Sequence, residues 1–111
     1  MHFISFEKED QLAGIINNSG YSVIFKHNTT CPISKAVRSD FEVEAPVLLE
    51  GVPVYFLDLL AFRNISDAVA ESFNVKHESP QLLLIKDGKC TYNDSHYDIS
   101  AGRAAAAMLN D

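Results

Sequence analysis

Ser22-Val23-Ile24-Phe25-Lys26-His27-Asn28-Thr29-Thr30-Cys31-Pro32-Ile33-Ser34 holds the decisive change of structure in this chain. Residues 22–26 form a short apolar run of strand type, suited to burial on both faces. His27 to Cys31 is a polar loop, and Pro32 then opens a helix. Proline is tolerated in a first helical turn because the N–H it lacks would be unpaired there anyway. Ile33, Ala36, Val37 and Phe41 are expected on one face of that helix, with Arg38, Asp40 and Glu42 elsewhere.

The flanking segments continue the alternation. Glu7 to Asn18 reads as a helix with Leu12, Ile15 and Ile16 on one face, and Glu7, Glu9 and Asp10 suit its positive start. Asn17-Asn18-Ser19-Gly20 ends it. Pro53 to Leu59 reads as a second buried strand, and Asn64 is the expected cap of a helix turning Ile65, Ala68, Val69 and Phe73 inward. Gln81 to Lys86 is a third strand, Asp87-Gly88 a tight turn, and Lys89 to Asn93 a fourth strand. Ser100 then caps a helix over Ala101 to Leu109. The order α-β-α-β-α-β-β-α predicts one α/β domain over residues 1–111. Its parallel β-α-β crossover is right-handed, and an antiparallel hairpin is added at the edge. A mixed four-stranded sheet with helices on both faces satisfies this order, which is the thioredoxin-like fold. Met1 to Ser5 is compatible with a short fifth strand, which the sequence leaves open.

Composition narrows the function classes. The 111 residues are 47% apolar and 22% charged, ordinary for a soluble domain. The net charge of −6 argues against nucleic acid as a partner, since a phosphate backbone demands a basic face. Met1 to Lys8 has no basic stretch followed by an apolar core, so no secretory leader is expected. The longest apolar run, Val52 to Phe62, is interrupted by Pro53 and Asp58 and is far short of a bilayer span, so no membrane is expected either. A cytoplasmic location follows as the expectation, and there two cysteines point to thiol or metal chemistry rather than a disulfide framework.

Cys31 is placed for such chemistry. The unpaired N–H groups and partial positive charge of a helix start favour a thiolate, and thiols so placed titrate below the free value of about 8.5. Ser34 and Pro32 set the thiolate's surroundings: the Ser34 hydroxyl can donate to the sulfur, while Pro32 leaves one amide fewer to do so. Ser34 also stands where a C-x-x-C motif has its second thiol, so the chain cannot close that disulfide. A monothiol mechanism follows, in which Cys31 forms a mixed disulfide that another thiol resolves. The alternative, an inert core cysteine, fits poorly with Thr29, Thr30 and Pro32 around it. Ser79-Pro80, ahead of the third strand, is the expected site of a cis peptide beside the cysteine.

His27-Asn28-Thr29-Thr30-Cys31-Pro32-Ile33-Ser34, together with His77-Glu78-Ser79-Pro80-Gln81, resembles the monothiol bacilliredoxins, over nearly the whole chain. The resemblance implies removal of bacillithiol from S-thiolated cytosolic proteins. Cys31 would be the nucleophile and Thr30, Ser79 and Pro80 would hold the substrate. No bound cofactor is implied; bacillithiol or a similar low-molecular-weight thiol is the co-substrate. His77 falls in the matching motif, either as an accessory to the thiol or as a loop residue that orders the turn. Thr30 stands where the family often carries a basic residue, so less electrostatic help to the thiolate is expected. Cys90 matches no family motif and is expected to be a half-buried structural thiol.

Other constellations are weaker. His2, His27, His77 and His96 lack ligand spacing, and with no C-x-x-C pair no metal site is expected. His2 reads as solvated and His96 as a loop residue before the last helix. Pro32-Ile33 replaces the Gly-Phe of iron–sulfur monothiol glutaredoxins. Two non-enzymatic readings stay open at this level: a redox sensor modified at Cys31, and a thioredoxin-fold binding module using the Ser79-Pro80 edge.

Overall fold

The computed structural model describes residues 3–110, so the expectation for His2 lies outside the described residues. Five strands and four helices follow in the order β1 (Phe3–Ser5), α1 (Asp10–Asn17), β2 (Ser22–His27), α2 (Pro32–Leu48), β3 (Val54–Asp58), α3 (Arg63–Phe73), β4 (Gln81–Lys86), β5 (Lys89–Ser95) and α4 (Ala101–Leu109). The sheet order is β1-β3-β2-β4-β5. β1 and β2 flank β3 in parallel, while β4 runs antiparallel to both β2 and β5. Phe3–Ser5 therefore does form the fifth strand, fixed by its pairing with Val54–Phe56. Three residues are too few to show a period.

Each central strand serves two cores because its side chains alternate. Val23 and Phe25 of β2, Val54 and Phe56 of β3, and Leu82 and Leu84 of β4 face α2 and α4. Ile24, Leu57, Leu83 and Ile85 face α1 and α3. Their continuous apolar runs are the signature of strands covered on both sides. Asp87 and Gly88 both take positive φ, 53° and 76°, the geometry of a two-residue hairpin turn. A Cβ at Gly88 would also stand 3.3 Å from the Ile16 carbonyl oxygen.

The elements differ from expectation in several places. α1 starts at Asp10 rather than Glu7, because the Gln11 Oε1 accepts the Glu7 and Lys8 amides at 2.8 and 2.9 Å and holds them in a turn. Asn64 does not cap α3. The Phe62 carbonyl accepts the first helical amides, of Ile65 and Ser66, and Asn64 Nδ2 donates to Glu9 Oε1 instead. On α2 the buried face is Ser34, Val37, Phe41 and Ala45; Ile33 and Ala36 point outward. β5 extends to Ser95, with an irregularity opposite Leu84 and Ile85. Ser100 caps α4 as expected, its hydroxyl accepting the Arg103 amide at 3.0 Å.

Candidate active site

The C-terminal end of β2 feeds straight into the loop that carries Cys31, and the β2–β4 register sets the start of β4 beside it, with Lys26 opposite Gln81. Cys31 and Pro80 thus belong to the same end of the sheet. Cys31 is the N-cap residue of α2, half-buried and unpaired, with extended backbone (φ −100°, ψ 120°). Its carbonyl accepts the Lys35 amide at 3.1 Å, the first bond of the helix. The Ser79–Pro80 peptide is cis. The Pro80 carbonyl accepts the amide of His96, a residue with φ 56° at the head of a 3-10 turn.

Asn28 organises the loop, a role the sequence did not reveal. Its carbonyl accepts the Cys31 amide at 3.1 Å. Its Oδ1 accepts both the amide and the hydroxyl of Thr30, at 2.9 and 2.7 Å. Its own amide donates to Ser34 Oγ at 2.8 Å. Ser34 is fully buried, and its Oγ accepts the Asn28 amide, which leaves the hydroxyl proton free to donate. In that position Ser34 fixes the loop against the helix. Thr30 stays exposed, its hydroxyl turned back onto Asn28.

His27 is the last residue of β2 rather than part of the loop, and is buried against α2. Arg38, two turns along α2 from Cys31, lies 3.0 Å from the His27 Nε2 and 4.1 Å above the Phe56 ring, while its Nε donates to Glu42 at 2.7 Å. Burial, and then the Arg38 guanidinium, push the His27 pKa down. The imidazole is therefore neutral and accepts at Nε2. A cavity of about 80 Å³ lies among His27, Asn28, Thr29, Ser34, Lys35 and Arg38. A wider, open depression of about 430 Å³ between β5 and α4 contains none of these residues.

Lys26 points the other way, toward α3. Its side chain is fully buried, and its ammonium donates to the Ser66 carbonyl at 3.3 Å and lies 3.4 Å from His77 Nδ1. Burial lowers its pKa from 10.5 to about 8 against the opposing pull of Asp67. The His77 pKa is lowered by burial and then by Lys26.

Cys90 belongs to the far end of the sheet, opposite Ile85. That position lies five residues beyond Pro80, about 17 Å along β4. It packs half-buried against the core under α1 and α3, donates to the Tyr92 carbonyl, and burial pushes its pKa up. Among the described residues no cluster of three or more histidine, cysteine or acidic side chains could hold a metal ion, and no helix is long and apolar enough to cross a membrane.

The model of the monothiol bacilliredoxin BrxC family matches residues 4–103. The chain belongs to that family. A solved thioredoxin-fold protein proposed to be an oxidoreductase is 32% identical, with a TM-score of 0.84 over 96% of this chain and 93% of its own. A thioredoxin of Malassezia sympodialis is 16% identical, with a TM-score of 0.75 over 98% and 90%. A variant thioredoxin of Halobacterium salinarum is 13% identical, with a TM-score of 0.71 over 98% and 89%. The two thioredoxins share the fold. Bacilliredoxin membership and the 32% identical relative give the chain its class, thiol redox chemistry on a thioredoxin fold.

Proposed function

We propose that this bacilliredoxin removes bacillithiol, or a similar low-molecular-weight thiol, from mixed disulfides on cytosolic proteins, with Cys31 as its nucleophile. The observation that carries the reading is a half-buried Cys31 at the α2 N-cap with Ser34 in place of a resolving thiol, at the sheet end where Ser79–Pro80 is cis.

The Cys31 thiolate attacks the bacillithiol sulfur in line with the protein sulfur. A Cys31–bacillithiol disulfide forms, the protein–bacillithiol bond breaks, and the protein leaves as its thiolate. A second low-molecular-weight thiolate then attacks the bacillithiol sulfur of the adduct. It departs as the small-molecule disulfide and returns the Cys31 thiolate. Over the whole cycle the protein mixed disulfide is exchanged for a small-molecule disulfide: one free small thiol is consumed and one protein thiol is released. In this reading Thr30, Ser79 and Pro80 would receive the extended substrate segment. Ser34 holds the loop through Asn28 and does not take part in the electron transfer. The test is multiple turnover of a bacillithiolated protein with free bacillithiol in excess. Catalytic release by wild type and none by Cys31→Ser is expected; equal release by both would overturn the proposal.

A further inference from the structure

Lys26 sits at a position where the fold asks for an apolar side chain. The alternation of β2 aims it, with Ile24, into the layer under α1 and α3, and it is fully buried. Lysine is almost never fully buried unless paired. Here no carboxylate comes within ion-pair distance of it among the described residues. Its donors go instead to the Ser66 carbonyl and the His77 ring. The Ser66 hydroxyl lies 3.4 Å from the same Nδ1. A charged Lys26 makes Nδ1 the acceptor and leaves the imidazole proton on Nε2.

His77 stands two residues before Ser79. The segment is tied down at three points: Lys26 at the His77 ring, Gln81 Nε2 at the Lys76 carbonyl (2.9 Å), and the His96 amide at the Pro80 carbonyl (3.0 Å). Lys26 and Gln81 are register partners, so two of these ties come from adjacent points on the sheet. The charged groups around the pair are Asp67 and Arg63 of α3 and Glu78 of the loop; Asp67 favours the charged lysine, and Arg63 disfavours a charged His77.

We propose that Lys26 is a positioning residue for substrate: its buried ammonium holds the His77 ring and so sets the place of the Ser79–Pro80 segment. The inference rests on the reading of that segment as the one that receives the S-thiolated protein. It assigns Lys26 to binding and leaves the thiol chemistry to Cys31.

The test compares wild type with Lys26→Met, which keeps most of the length of the side chain and removes its donors. Turnover of a bacillithiolated protein is followed from about pH 6.5 to 9.5, and His77 is followed by imidazole 15N resonances. KM near neutrality is expected to rise about tenfold in the variant, the effect of one lost charge-assisted hydrogen bond, with kcat within about twofold. The KM gap should narrow as the wild-type ammonium deprotonates above pH 8 and its hydrogen bond to Nδ1 loses its charge, and the Nδ1 signal should lose its hydrogen-bonded shift in the variant. An active wild type with an unchanged KM in the variant would overturn the inference, as would a KM gap that ignores pH. A wild type with no Cys31-dependent turnover would overturn the underlying reading together with it, an outcome visible without the variant.

Discussion

Replacing Lys26 with Met is expected to make the protein more stable while it weakens substrate binding. The size of the effect comes from the proton equilibrium. Burial lowers the Lys26 pKa from 10.5 to about 8. Each factor of ten is worth about 1.36 kcal/mol, so holding the ammonium inside the fold costs about 3 kcal/mol. Solvent beside the exposed His77 screens the charge and reduces this to about 2 kcal/mol. The substitution orphans little, since the Ser66 carbonyl belongs to α3 and the His77 ring can turn to water. For a chain of this length 2 kcal/mol corresponds to about 8 °C in Tm. The pH dependence gives the sharper test. A lysine whose folded pKa lies below its unfolded value destabilises fully below the folded pKa, and the penalty fades as pH rises toward the unfolded one. Urea denaturation should therefore show the variant ahead by about 2 kcal/mol near pH 7 and by under about 1 kcal/mol near pH 10. The comparison cancels other groups that titrate in that window, such as Cys90 and Tyr92, whose pKa values are raised. A variant less stable than wild type near pH 7, or a gap that stays constant with pH, would show that the buried ammonium carries no such cost.

Four further outcomes are expected. Asn28→Ala removes the acceptor of the Thr30 amide and hydroxyl; it should cost about 1 kcal/mol in urea denaturation and slow the alkylation of Cys31 by iodoacetamide. Cys90→Ala should keep full turnover and lose about 1 kcal/mol of stability. Oxidised wild type should contain no Cys31–Cys90 disulfide by peptide mapping, because bridged residues need Cα atoms within about 7 Å. Because the folded pKa of His27 lies below its unfolded value, the contribution of the neutral ring is present above the unfolded value and is lost as pH falls. His27→Gln should therefore flatten the decline of Tm on acidification below about pH 6.5, as read by calorimetry.

The parts of the fold legible in the sequence were those set by local patterns. Three continuous apolar runs gave β2, β3 and β4, Asp87-Gly88 gave the hairpin, and Ser100 gave the cap of α4. Elements that depend on distant partners were not legible. β1 exists through its pairing with β3, and the start of α1 depends on one glutamine side chain. The candidate site divides in the same way. Cys31, Pro32, Ser34 and Ser79-Pro80 stand out because strand-to-helix and loop-to-strand transitions are written in consecutive residues. The surroundings of Lys26 are not, because the groups it meets lie 40 and 51 residues along the chain. The 22–26 run includes Lys26 without saying where its side chain goes; the docking of α3 and of the His77 loop decides what it touches. Arg38 likewise reads as a helix surface charge until β3 brings Phe56 beneath it.

A single-turnover experiment shows whether Cys31 takes the small thiol from its substrate. A protein bacillithiolated on one cysteine is mixed with an equal amount of reduced enzyme and quenched with acid, and both chains are weighed intact and mapped. The bacillithiol mass is expected to leave the substrate and appear on the peptide carrying Cys31. A substrate that keeps its adduct, or an adduct found on Cys90 instead, would contradict that role for Cys31.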